Sequence, residues 1–197
     1  MFIDSGNIDA NKGEAAMSSD EPIEGRNLIN HGDFSGNWRE VWTVTGNHAV
    51  REDSATGKTY LQMTEGATAA CTFELPIRPD ADAVYWISFA YEVRGNKPSV
   101  VSLTTGGGKE VFRETFVSRR GQEEPLVSAN QPLADFRPYA PYAIEGLVRS
   151  DKTIDLLVTS ADDGEVGGIY VTDFKIDLRI VPLAVSELSL DDRSYIG

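Results

Sequence analysis

Residues 85–94, YWISFAYEVR, hold the side chains best suited to grip a ligand. Successive side chains of an extended strand point to opposite faces, so residues of like parity share a face. Tyr85, Ile87, Phe89, Tyr91 and Val93 therefore form one row, and Trp86, Ser88, Ala90, Glu92 and Arg94 form the other. The first row is an apolar stripe fit for a core. The second sets an indole, a carboxylate and a guanidinium side by side, which can cover an apolar surface and hydrogen-bond polar groups around it. Bond-making chemistry has far less to work with. The chain contains no G-x-S-x-G, H-E-x-x-H or Walker sequence. Residues 105–110, TGGGKE, imitate a phosphate loop but lack its first glycine and the hydroxyl residue after Lys109. They also lie between strand-like segments, where no helix dipole can hold a phosphate, and so read as a hairpin turn. The only histidines, His31 and His48, both fall in turns, and no carboxylate pair is singled out for glycoside hydrolysis. The chain reads as non-catalytic.

Composition narrows the partners. At 197 residues and 41% hydrophobic, the chain suits one domain with a real core, or one domain plus a tail. Its net charge of −13 repels nucleic acid and anionic membranes, and both are excluded as expected partners. The longest apolar run, residues 83–91, is far short of the roughly 20 residues of a membrane helix. Residues 1–25 lack a basic start and an apolar run, so they read as a flexible polar leader rather than a secretory signal. On that reading the protein works inside the cell, leaves without a cleaved leader, or is a segment of something larger. Cys71 is the single cysteine, which excludes an internal disulfide and a cysteine-based zinc site. Its setting in TAACTFEL is that of a buried core thiol.

Strand patterns fill the chain from Arg26 onward. Residues 41–50, 59–64, 67–77, 83–95, 99–105, 110–118, 142–149, 153–160 and 168–181 are rich in β-branched and aromatic residues and are bounded by turn formers. A helical turn is expected only at 132–136. Nine or ten strands with no fixed repeat predict a two-sheet antiparallel β-sandwich over 26–181, with 182–197 as a tail or edge strand. In the last strand Phe174, Ile176, Leu178 and Ile180 should face the core, and Asp173, Lys175, Asp177 and Arg179 should face away. Residues 119–139 form a long connection with three prolines, a length often reserved for functional or mobile loops. Arg119 and Arg120 at its start read as a solvated turn.

Four stretches carry a family resemblance, in order along the chain. NLINHGDFSGNW at 27–38 resembles the opening of the galactose-binding-like jelly rolls, in particular the carbohydrate-binding modules found beside cellulases and xylanases. VYWISFAYEVRG at 84–95 is similar to their central strand, YAPYAIEGL at 139–147 occupies the place of a later one, and IYVTDFKI at 169–176 resembles the closing strand. Gly32 and Gly36 then allow the sharp turn, with Phe34 and a tryptophan capping the core. The resemblance implies a jelly roll that binds glycan without catalysis, outside the cell or at its surface. It also implies a structural calcium between the acidic residue after the first strand and an aspartate of the closing strand. Those roles fall here on Asp33 and Asp173, though Thr172 replaces the first aspartate of the closing pair and Ser35 stands where glutamate is usual. By the same resemblance Trp86, Glu92 and Arg94 line a groove for the glycan, flanked by Tyr139 and Tyr142 beside the long connection.

Plainer assignments stand beside these. Asp33 can be a turn residue and Asp173 a surface one; Trp86 can be covered by 119–139; Trp38 and Trp42 belong at the end of the core. A different function also fits the fold: a structural or assembly module holding protein neighbours in an appendage, a phage-like particle or a large secreted complex. The acidic surface, the absent leader and the tail favour that alternative. An outward Trp86 favours the glycan.

Overall fold

Short runs of valine, isoleucine, threonine and aromatic residues, punctuated by glycine turns, give ten strands among the described residues. These are β1 (Thr43–Thr45), β2 (His48–Glu52), β3 (Thr59–Thr64), β4 (Thr68–Glu74), β5 (Ala83–Arg94), β6 (Ser99–Thr105), β7 (Glu110–Phe116), β8 (Arg137–Ala143), β9 (Thr153–Thr159) and β10 (Gly168–Ile180). The computed structural model describes residues 25–54, 56–77, 83–118, 136–161 and 167–180. The expected leader (Gly25 apart), the tail, Arg119, Arg120 and all but Phe136 of the expected helical turn lie outside those residues. Two five-stranded antiparallel sheets result, in the orders β1-β4-β9-β6-β7 and β2-β3-β10-β5-β8, as the sandwich expectation requires. TGGGKE is the hairpin turn from β6 to β7.

The segment 41–50 is not one strand. It splits into β1 and β2, which belong to different sheets. Gly46 makes the crossing at φ 81°, and a Cβ there would come within 2.8 Å of Ala67 Cα. The strand expected at 142–149 also moves: β8 starts at Arg137 and ends at Ala143. Pro138 and Pro141 hid it, since proline suggests a loop, yet an edge strand has backbone N–H positions that need no partner.

The two sheets enclose one core in which Tyr85, Ile87 and Phe89 of β5 are buried, as their parity predicts. β10 runs through the middle of its sheet, against β3 on one side and β5 on the other. Its ladder carries a bulge between Thr172 and Lys175, where Asp173 sits at φ 55°. A bulge inserts one residue and so switches the phase of the strand. Ile169 and Val171 before it, and Phe174, Ile176 and Leu178 after it, are all buried. Ile180, expected with them, is exposed: it occupies the last register position of β10, past the end of the core.

Residues 25–42 plug the end of the sandwich. Asn27 Oδ1 accepts the N–H groups of Ile29 and Ile176, each at 3.0 Å, and its Nδ2 donates to Phe174 O. Phe174 N–H donates to Gly32 O at 3.0 Å, and a Cβ on Gly32 would lie 2.0 Å from Phe174 O, so only glycine fits. A short 3-10 turn, Trp38–Glu40, follows. Phe34, Trp38, Trp42 and Phe174 then pack as one buried aromatic group, with Phe34–Trp42 at 4.9 Å and Trp42–Phe174 at 5.3 Å. Trp38 and Trp42 are thus core residues at its end. Cys71 is buried on β4, and burial together with the Asp155 carboxylate pushes its thiol up to about 12.

Candidate ligand-binding face

The outer face of the β2-β3-β10-β5-β8 sheet carries two aromatic stations. At one, Trp86 on β5 stands between Ala143 of β8 and Asp177 of β10. Its ring is half-buried and covered by Arg179, whose Cζ lies 4.6 Å from the ring centroid. Asp177 Oδ2 pairs with Lys175 Nζ at 3.0 Å. At the other station, six residues along β5 and so roughly 20 Å away, Glu92 faces Tyr170 across the ladder. Arg94 Nε donates to Glu92 Oε1 at 2.7 Å, and Arg94 Cζ lies 4.7 Å over the Tyr170 ring. Tyr60 of β3 packs on Tyr170, and Phe136 closes the cluster from the approach to β8. Between the stations the face is low: Ser88 and Ala90 of β5 stand opposite Lys175 and Thr172 of β10.

Hydrogen bonding on this face is incomplete. Five buried side-chain polar atoms have no partner among the described residues, and three lie here: Trp86 Nε1, Asp177 Oδ1 and Glu92 Oε2. Leaving such a buried atom unpaired costs about 1–3 kcal/mol. Burial tends to lower the pKa of the Arg94 guanidinium, but the hydrogen bonds and charges of Glu92 and Tyr170 outweigh it and raise the pKa. Burial raises the Tyr170 phenol, against the opposing pull of Arg94, and the Tyr60 phenol is raised by burial as well. Both tyrosines are neutral and Arg94 is charged at any physiological pH.

The structure puts Trp86, Glu92 and Arg94 on one face, at separate stations, and sets beside them residues that the sequence reading passed over: Asp177, Arg179, Tyr170, Tyr60 and Phe136. A signal for Tyr170 was present. The apolar residues of β10 change parity between Val171 and Phe174, which marks a bulge and turns Tyr170 and Thr172 outward.

Tyr139 and Tyr142 do not flank this face. They stand opposite Phe89 and Ile87 in the ladder and share the inward side of the sheet with them, because a register shift on β8 brings both round. Tyr139 stacks on Phe89 at 4.8 Å, and its hydroxyl donates to Glu114 Oε2 at 3.3 Å. Burial and the Glu114 carboxylate push its pKa up to about 12. Tyr142 is 45% exposed and lies 5.6 Å from Phe112, at an open groove of about 300 Å³ between the edge strands β7 and β8. Glu110, Arg113 and Glu114 make that groove mainly acidic.

The segments carrying Asp33 and Asp173 do meet, through the Gly32 and Phe174 backbones. Their carboxylates are engaged separately. Asp33 Oδ1 accepts the Ser35 N–H at 3.1 Å and the Ser35 hydroxyl at 2.8 Å. Burial pushes its pKa up, but the Ser35 hydrogen bonds prevail and hold it below the ordinary carboxylate value. Asp173 Oδ2 pairs with Lys58 Nζ at 2.7 Å, and Thr59 Oγ1 donates to the Asp33 carbonyl. Calcium takes six to eight oxygens, whereas an ammonium group already neutralises Asp173. Among the described residues, no three His, Cys, Asp or Glu side chains are grouped to hold a metal. Asp33 and Asp173 thus answer to different partners, Ser35 and Lys58.

Two antiparallel five-stranded sheets closed around one core define the class: a jelly-roll β-sandwich. Solved structures of similar fold are mostly carbohydrate-binding modules. TmCBM61, solved in complex with β-1,4-galactotriose, is 15% identical at a TM-score of 0.47, over 77% of this chain and 97% of that one. The CBM22-1 xylan-binding domain of Paenibacillus barcinonensis Xyn10C is 16% identical at 0.45, over 82% and 99%. The enzymatically active domain of bacteriophage CBA120 tailspike protein 4 is 16% identical at 0.48, over 77% of this chain and 21% of that one. No family model matches the chain, and no curated protein sequence does. Among the described residues no helix is long and apolar enough to cross a membrane.

Proposed function

We propose that the chain is a non-catalytic glycan-binding module whose ligand lies along the outer face of β2-β3-β10-β5-β8, between Trp86 and Tyr170. One observation carries the reading: Trp86 and Tyr170, each under a guanidinium, share one sheet face with Glu92 and Asp177. A sugar chain suits such a face. Its hydroxyls can hydrogen-bond the charged side chains along it, while its apolar ring faces rest on flat side chains. The low floor of Ser88, Ala90 and Thr172 leaves room for it, and the roughly 20 Å span suits several sugar units rather than one. A likeness of fold fixes an architecture, not a ligand, so the reading rests on this face.

A glycan array with the purified protein tests it. Wild-type protein should bind at least one glycan, and Trp86→Ala should abolish that binding while the melting temperature falls only modestly. An array with no bound glycan, or binding indifferent to Trp86→Ala, would overturn the reading.

A further inference from the structure

The two aromatic stations differ from bare stacking platforms, since a guanidinium already covers each ring. Arg179 lies over Trp86 and Arg94 over Tyr170, with Cζ 4.6 and 4.7 Å from the ring centroids. What each station turns toward a ligand is therefore a cation resting over a ring rather than an open π surface. Along the same face, the base of each ion pair is the more exposed member. Arg94 is 21% exposed against 10% for Glu92, and Lys175 is 45% exposed against 16% for Asp177. The acids form the floor and the bases form the rim. Arg179 has no ion-pair partner at all among the described residues. Arg51, held to Gln62 at 2.7 Å, adds a further base beside Tyr60. Five bases, Arg51, Lys58, Arg94, Lys175 and Arg179, thus stand with four acids, Asp53, Glu92, Asp173 and Asp177, on or at the border of this face, in a chain whose net charge is −13.

We infer that the glycan recognised on this face is an acidic one, a uronate-bearing oligosaccharide whose carboxylates lie against Arg179 and Arg94. This rests on the glycan reading above and names the ligand class for the same site. A guanidinium offers two parallel N–H groups in the plane and at the spacing of a carboxylate, a match that a hydroxyl cannot reproduce. Contact with the Tyr170 and Trp86 rings restrains each guanidinium, so less side-chain freedom is lost when the carboxylate arrives. Repulsion from the acidic remainder of the chain does not prevent this. At physiological salt it is screened beyond about 8 Å, and a ligand lying on the face meets the local bases first.

Calorimetric titration of the full chain separates the possibilities. The probes are oligomers of galacturonate, glucuronate, mannuronate and guluronate, their carboxyl-reduced counterparts, and a sulfated galactan, each at 50 and 300 mM sodium chloride. A uronate oligomer should bind at least tenfold more tightly than its carboxyl-reduced form and weaken at the higher salt. Arg179→Gln should cost about tenfold in that affinity. Arg179 is exposed, and a melting curve for the variant shows that its fold is intact. Binding of neutral oligomers alone would overturn the acidic assignment and leave the glycan reading standing. Binding of the sulfated galactan alone would overturn the carboxylate in favour of another anion. No binding of any probe, together with an empty glycan array, would overturn both.

Discussion

At Trp86 the indole is half-buried with Arg179 laid over its ring, while Trp38 and Trp42 are fully in the core. The three tryptophans should therefore respond differently to a soluble quencher. Arg179→Ala uncovers only the Trp86 ring, so acrylamide quenching should rise in that variant and return to the core level in Arg179→Ala with Trp86→Phe. Equal quenching with and without Arg179 would mean that the guanidinium does not rest there. Cys71 gives a second residue-level expectation. Burial raises its folded-state pKa from the ordinary thiol value to about 12. A group with a raised folded pKa contributes stability that is complete below the ordinary pKa and is lost as pH rises through the folded one. The native protein should thus lose stability between about pH 9 and 12, less so in Cys71→Ala. Below pH 9 the native thiol should ignore a disulfide reagent that labels the unfolded chain at once. Rapid labelling of the native protein would contradict this burial.

β10 carries most of the fold's logic at the scale of elements. Phe174, Ile176 and Leu178 are fully buried, and Phe174→Ala should cost about 3–5 kcal/mol in denaturant unfolding. A loss under 1 kcal/mol would mean that the aromatic plug is loose. Beside it, Lys58 and Asp173 are 62% and 40% exposed, and an exposed pair contributes only about 0–1 kcal/mol. Melting curves with excess calcium and with chelator should superimpose, because Lys58 supplies the positive charge. A calcium-dependent rise that Asp173→Ala erases would instead put the ion between Asp33 and Asp173. The strands were legible where alternation ran unbroken: the parity of 85–94 alone sent Trp86, Glu92 and Arg94 outward together. Legibility failed at irregular backbone. The register shift on β8 carried Tyr139 and Tyr142 inward, and two prolines disguised that strand as a loop. Neither feature has a period that a sequence displays. The Asp33 and Asp173 segments meet in the backbone, but the partner of Asp173 is Lys58, distant in sequence from both.

Over the whole molecule, the chain's first described residues are tied to its last strand. Gly25, Leu28 and Asn27 all bond to β10, which is itself the centre of its sheet. Deleting 168–197 should therefore abolish cooperative folding, and a 1–167 fragment that melts sharply would refute that dependence. The same central strand holds Tyr170, Asp177 and Arg179 in register with Trp86 and Glu92, so the core and the candidate site rest on one ladder. The opposite side of the sheet, where Tyr142 meets the acidic groove of β7 and β8, offers the alternative place for a ligand. Amide chemical shifts of labelled protein, followed while the tightest glycan from the array is titrated in, decide between the two sides. The account predicts that the largest shifts fall at 84–94 and 170–179, with the Trp86 indole N–H among them. Shifts confined to 110–114 and 139–142, or none with any glycan, would contradict it.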